Sequence, residues 1–374
     1  MKHFKRSSTV RLIFLVLAGL GYREAFARTY DSYRSDYPKG AFCSAIAGAC
    51  ASDDDLENSF FQNPSALTSK GPDWNFDGDF QDSSNLEPGV RKSKDISEQN
   101  FMGGIGWGGE QWGIGLSFTG RNTRVIGTTA VQSSGGTRQV FATTARANSL
   151  QFNLPVSYRV SSHLSVGASL IVSSFSENLS ADPSAGTFIS SNNDRPRVGV
   201  SVGFIESLNA NWRVGSWFRS AIANRTQLSV DSDAVSPPVH SQEEFLVNNP
   251  WILATGASWM PWADSRTLLF DVDVIGKTSQ GDLLGYYAPQ SGGNLTPKGR
   301  RITFEPRLGY RMPYAHEARG TIHTGLYYEP SRRPEFGGRV HVTGGLSYHV
   351  LSWLELMAGA DVSRDFFQFF LTFR

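Results

Sequence analysis

The segment ITFEPRLGYRM, residues 302–312, changes character at every step. Ile302, Phe304, Pro306, Leu308, Tyr310 and Met312 fall on one face, and Thr303, Glu305, Arg307, Gly309 and Arg311 on the other. A period of two is the pleat of a β-strand, so this strand has one apolar face and one ionic face. RVGVSVGF does the same, setting Val198, Val200, Val202 and Phe204 opposite Arg197, Gly199, Ser201 and Gly203. Around residue 270, Leu268, Phe270, Val272 and Val274 oppose Asp271 and Asp273. A one-residue slip would turn every charge onto the apolar side. The pattern recurs in fourteen segments: 72–81, 98–107, 111–122, 147–160, 163–175, 195–208, 211–222, 250–260, 265–276, 301–312, 318–328, 339–349, 353–362 and 366–374. Segment 211–222 is less regular, with Ser216 and Trp217 on the wrong sides. The third and seventh segments can run on into the Thr- and Ser-rich stretches that follow them.

The links alternate in length. GGE, SSH, NAN, PWADS, PYAHEA and VLS follow the even-numbered segments, and longer polar loops follow the odd-numbered ones, except at the final hairpin Ser363-Arg364-Asp365. Short turns on one rim, long loops on the other and an even strand number describe a membrane β-barrel. A soluble β-sandwich also alternates, with its apolar faces inward. The tryptophans favour the barrel. Of nine, Trp107, Trp112, Trp212, Trp259, Trp262 and Trp353 lie within a few residues of a tight turn, and Tyr158, Tyr310, Tyr314 and Tyr348 mark the others. That is an aromatic girdle at one membrane interface. A Lys or Arg facing lipid at mid-membrane costs about 2–4 kcal/mol, which puts the ionic faces inside.

The start of the 374-residue chain reads as an export signal. Lys2, Lys5, Arg6 and Arg11 precede the apolar run LIFLVLAGLGY, and Ala25-Phe26-Ala27 is a small-residue cleavage site. Removing residues 1–27 takes five bases and one acid, so the net charge moves from +1 to −3. Nothing here suggests nucleic-acid binding. No later run reaches the roughly 18 apolar residues of a membrane helix, so a membrane-spanning form has to be a closed barrel. Cys43 and Cys50 fit either a disulfide closing a small loop in an oxidising compartment or two small buried thiols.

The stretch ASDDDLENSFFQNPSALTSK, residues 51–70, is not strand-like. Ser52 suits a helix N-cap with Asp55 three residues on, Asp53, Asp54 and Asp55 suit the helix dipole, and Asn63-Pro64 ends the helix. Residues 51–67 resemble the N-terminal signature of the long-chain fatty acid outer-membrane transporters, the FadL type, and the related aromatic-hydrocarbon transporters. The parts that match are the small-residue run AFCSAIAGACA, the pair Asp53-Asp54 and the motif Asn63-Pro64-Ser65-Ala66. Ser65 replaces the usual Ala, and RTYDSYRSDYPKG is longer than the typical mature N-terminus. The last strand, DFFQFFLTFR, resembles the signal read by the outer-membrane insertion machinery, with Arg374 after Phe373 where an aromatic end is usual. The resemblance implies a fourteen-strand barrel with residues 28–71 folded inside as a hatch and residues 72–374 as the barrel. The acidic end of that hatch either docks on lumenal arginines such as Arg197, Arg307 and Arg311 or simply caps a helix.

His323, His341 and His349 read as lumenal polar residues, and no metal site or cofactor is expected. The chain has no GxSxG motif, and GGIGWGG has no helix to receive a phosphate, so neither catalysis nor nucleotide binding is expected. Asp271, Asp273, Glu305, Arg307 and Arg311 are candidate lining of the lumen. The resemblance implies diffusive passage of a hydrophobic or amphipathic small molecule through the outer membrane of a Gram-negative-type bacterium. The alternatives are a scaffold barrel that binds a protein partner and a general porin. Expected partners are outer-membrane lipid, the insertion machinery and the ligand itself, with the protein a monomer.

Overall fold

The structure is a computed structural model and describes residues 28–31, 39–68, 73–84, 96–132, 138–181, 188–193, 195–232, 239–261, 266–276, 302–314, 319–330, 338–364 and 366–374. The export signal, Trp262 and most of the long loops lie outside the described residues. The strands are β1 (Arg28–Asp31), β2 (Asp73–Ser84), β3 (Ile96–Gly108), β4 (Trp112–Gln132), β5 (Arg138–Arg159), β6 (Leu164–Ala181), β7 (Phe188–Asn193), β8 (Arg197–Ser207) and β9 (Trp212–Arg219). They continue as β10 (Ile222–Ser232), β11 (Val239–Asn249), β12 (Ile252–Trp259), β13 (Thr267–Ile275), β14 (Thr303–Tyr314), β15 (Gly320–Glu329), β16 (Arg339–Leu351), β17 (Leu354–Ser363) and β18 (Phe366–Phe373).

Fourteen of these strands close a ring, in the order β2 to β6, β8, β9, then β12 to β18 and back to β2. Every pairing in the ring is antiparallel, and the seam is Phe373 opposite Gly78 through Phe367 opposite Ser84. The fourteen segments of the sequence pattern are these fourteen staves. The remaining strands stand on the long-loop rim. There β4 and β5 reach 21 and 22 residues, so the stretch between the third and fourth segments is mostly a tall hairpin rather than a loop. Its Thr- and Val-rich residues favour extended backbone and pair with one another beyond the membrane. β10 and β11 extend β9 and β12 in the same register, β7 pairs with β6 and β10, and β1 joins β11 in parallel.

The chain is folded inside out relative to a soluble protein. Phe304 is 59% exposed and Val272 43%, while Glu305, Arg307, Asp271 and Asp273 on the same two strands are buried within the ring. The apolar rows face bilayer and the ionic rows face the lumen, as a membrane barrel requires. Segment 211–222 departs from the alternation for a local reason. Trp217 points inward and packs against Ala51, Ile252, Ala254 and Ile275. Ser216 points outward and is satisfied by the Ala254 carbonyl at 2.8 Å and Thr255 at 3.0 Å.

Among the described residues, two interruptions of the ladder lie beside the interior segment or the long-loop rim. Between β4 and β5, pairing stops at Ile114 opposite Val156 and resumes at Ser117 opposite Asn153. The unpaired residues are Gly115 and Leu116 against Leu154 and Pro155, and proline has no N–H to donate. The second gap lies above β8 and β9. Ser220 closes their ladder by donating its N–H to the Val200 carbonyl, and its hydroxyl accepts from Val200 N, both at 2.9 Å. Pairing resumes only where β7 meets β10 at Ile189 and Asp231.

Candidate functional site

Residues 39–68 lie inside the ring and are almost entirely buried. They hold α1 (Ala41–Ala45), α2 (Leu56–Phe61) and a 3-10 turn (Pro64–Thr68). Small side chains let α1 end tightly. Ala47 N bonds to the Ser44 carbonyl and Gly48 N to the Cys43 carbonyl, and Ala47 and Gly48 take left-handed φ values of 59° and 73°. This is a Schellman closure with alanine where glycine is usual. Ala47 is fixed there by the wall: its N–H donates to Thr343 Oγ1 (3.0 Å) and its carbonyl accepts from Arg307 (2.7 Å). Cys43 and Cys50 form a disulfide across this turn, with Cα atoms 5.9 Å apart.

The cap of α2 is Asp55, which accepts from Glu57 N at 3.3 Å, and not Ser52. The three aspartates are drawn apart by three arginines of the wall. Asp53 pairs with Arg311 on β14, Asp54 with Arg213 on β9 (2.8 Å), and Asp55 with Arg374 (2.6 and 2.7 Å). Arg374 also donates to Glu355 (2.7 Å) and lies 3.7 Å over the Phe42 ring. Arg307 does not meet this acidic end. It bonds Asp273 (2.9 Å) and Glu305 as well as the Ala47 carbonyl, and Lys39 joins it on Asp273 (2.9 Å). Asp271 accepts from Ala51 N at 2.6 Å. Arg197 stands at the loop-side end of β8, away from the turn that leads to Arg213. Sequence reading therefore named Arg311 and missed Arg213 and Arg374. The signal available was arithmetic: three adjacent aspartates enclosed in a barrel call for about three cations.

Asn63-Pro64 is also tightly held. Asn63 donates to the carbonyls of Ala51 (2.8 Å) and Phe204 (3.1 Å), and its Oδ1 accepts from Ser65 N (3.2 Å) and Oγ (2.7 Å). Two wall glycines make room. A Cβ on Gly203 would sit 2.2 Å from Asn63 Oδ1, and one on Gly167 2.5 Å from the backbone of Pro64 and Ser65. Beside them, Phe60 is 2% exposed and its ring lies just inside the β4–β5 gap, 3.1 Å from where a Gly115 Cβ would stand.

Two ionic clusters complete the interior. The carboxylates of Glu57, Asp77 and Asp79 are buried with oxygens all within 4.8 Å of one another. Phe42 N donates to Glu57 (3.2 Å), Ala41 N to Asp79 (2.8 Å) and Thr372 to Asp77 (2.9 Å). Burial, reinforced by Asp79, Asp77 and Asp55, raises the Glu57 carboxyl well above its ordinary value. Elsewhere His341, fully buried, bridges Asp361 (2.8 Å) and Glu329 (3.0 Å), with Tyr327 and Arg339 on the same carboxylates. His323 instead contacts Ser347 (3.3 Å) and His349 approaches Glu355 (3.7 Å), so the three histidines serve separate places.

No family model and no curated protein matches the chain. Solved structures do. The toluene transporter TbuX of Ralstonia pickettii aligns over 89% of this chain and 97% of its own, at 14% identity and TM-score 0.64. The toluene transporter TodX of Pseudomonas putida aligns over 92% and 98%, at 15% identity and TM-score 0.61. A FadL homologue of Pseudomonas aeruginosa aligns over 90% and 97%, at 11% identity and TM-score 0.63. At these identities the likeness is one of architecture. The chain has the fold of the FadL-type outer-membrane transport barrels, the family that its residues 51–67 resemble.

Proposed function

We propose that the protein is an outer-membrane channel for hydrophobic or amphipathic small molecules, of the aromatic-hydrocarbon or fatty-acid-like class, which pass by diffusion and without a chemical step. One observation carries the reading. The lumen is occupied by residues 39–68, yet the wall is interrupted at Gly115 and Leu116 with Phe60 directly behind. A filled lumen opposes bulk water and sugars. An apolar break in the wall suits a solute that leaves sideways into the bilayer. The fold shared with toluene transporters supports the same class of cargo. The export signal read in the sequence and the apolar outer face support an outer-membrane location.

In this scheme residues 39–68 act as the hatch. Asn63 and Pro64 are its anchor, because the bond to the Phe204 carbonyl and two close wall glycines fix them to the barrel and three further bonds tie them to Ala51 and Ser65. The part that shifts is then the start of α2, held by the three aspartate–arginine pairs. Cargo arrives from the long-loop rim and reaches the gap when Phe60 moves aside.

Uptake tests this. Cells lacking the protein should take up labelled toluene and a labelled long-chain fatty acid more slowly, and the wild-type gene should restore at least one of them. Gly115→Phe, which fills the gap, should not restore it. Equal uptake with and without the protein, or liposome swelling in sugars, would overturn the reading in favour of a scaffold or a general porin.

A further inference from the structure

The outer face of β3 to β6 is organised in rows. Phe101, Gly120, Leu150 and Ser174 lie side by side across the four strands. One pleat higher stand Gln99, Asn122, Asn148 and Ser176, and one pleat above those Arg124 faces Arg146 directly. Phe101 and Leu150 are 50% and 40% exposed, and both asparagines and both arginines are exposed as well. Between the two apolar side chains Gly120 leaves a dent. A Cβ there would meet only the Phe101 carbonyl, at 3.7 Å. A cavity of about 500 Å³ opens at this place, lined by Phe101, Gly120, Asn122, Asn148 and Leu150.

Height in the membrane gives the rows a meaning. Trp112 belongs to the girdle beside the short turns. Arg124 follows twelve residues later on the same strand. At about 3.3 Å per residue and a tilt of about 40°, that places the arginines about 30 Å along the barrel axis. Gly120 lies about 20 Å up, inside an apolar band about 25 Å tall. Leaving the hydrocarbon, the surface therefore offers an apolar dent, then a band of amides and hydroxyls, then two guanidiniums.

The two guanidiniums need an anion. Like charges directly opposite on a ladder repel, and no carboxylate of a described residue pairs with either. The neighbouring Arg121, on the inner face, has Glu98 (3.5 Å). A phosphomonoester carries about −1.5 to −2 at neutral pH and matches two arginines, whereas a phosphodiester carries about −1. We propose that this face binds one phosphomonoester-bearing acylated sugar lipid of the outer leaflet, of the lipid A type. Its phosphate lies between Arg124 and Arg146, its sugar hydroxyls and amides on Asn122 and Asn148, and an acyl chain in the dent at Gly120. The site is independent of what passes through the barrel.

Native mass spectrometry of the full-length protein in detergent tests it, with lipid A, dephosphorylated lipid A and phosphatidylglycerol as probes and inorganic phosphate as competitor. Wild type should retain one lipid A in preference to the other two lipids. Arg124→Ser with Arg146→Ser should weaken retention tenfold or more, and Arg124→Lys with Arg146→Lys should keep most of it. Gly120→Phe should weaken lipid A with the arginines intact. All three positions face outward, and migration of unheated protein on a gel verifies the barrel in each variant. Equal retention by wild type and the double serine variant overturns the site. Phosphatidylglycerol bound as well as lipid A, or inorganic phosphate displacing lipid A at equal concentration, overturns this occupant.

Discussion

Arg374 closes the circuit between the two ends of the described chain. It joins Asp55 and Glu355 and covers Phe42, so one side chain ties α1, α2 and β17 together. Breaking a largely buried ion pair on one side leaves the other charge exposed to a poor solvent. Arg374→Ala should therefore destabilise residues 39–68 by about 2–4 kcal/mol, read as faster protease cleavage within them at unchanged barrel stability. Glu57 gives a pH signature. The groups facing it are Asp79, Asp77 and Asp55, with Arg374 beyond them near Asp77. Its carboxyl is raised, so the folded segment holds a proton that the unfolded one releases. The contribution is full below the ordinary carboxylate range and is lost as pH rises through the raised value. Protease resistance of the segment should therefore fall as pH rises above the ordinary carboxylate range in wild type, and Glu57→Gln should flatten that slope. A wild-type profile independent of pH would remove Glu57 from the account.

At the scale of elements, the wall is tested by charge. Val272 faces the bilayer near the middle of β13, so Val272→Arg should cost about 2–4 kcal/mol in unfolding from lipid vesicles. The wall was also what the sequence made legible. Phe304 outward and Glu305 inward follow from a period of two and the expense of charge in lipid, and the turns supplied the strand count. The tall hairpin of β4 and β5 was only partly legible, because above the membrane no apolar face marks the strand and Thr-rich extended chain reads like loop. Trp217 looked out of place on the inward face for another reason: its partners Ala51 and Ile275 are far apart in sequence, and only the enclosed segment makes an inward tryptophan favourable. The same holds for the helix cap. Local rules offered Ser52, but Arg311 and Arg213 take Asp53 and Asp54, so the helix starts later at Asp55. Gly167 and Gly203 look like ordinary strand glycines until Asn63 and Pro64 are seen against them. Gly203→Val should displace Asn63 and release the segment, detected as accessibility of an introduced cysteine at Ser65.

For the whole molecule, the account is a barrel whose apolar exterior meets lipid and whose interior is closed by its own N-terminal residues through three aspartate–arginine pairs. Ion conductance in a planar bilayer reads that closure most directly. The wild-type protein should pass little steady current. The variant carrying Asp53→Asn, Asp54→Asn and Asp55→Asn, with the barrel intact by gel migration, should open to a large and sustained one. A wild type that already conducts steadily, or a triple variant that conducts no more than wild type, would contradict the claim that these residues keep the lumen shut.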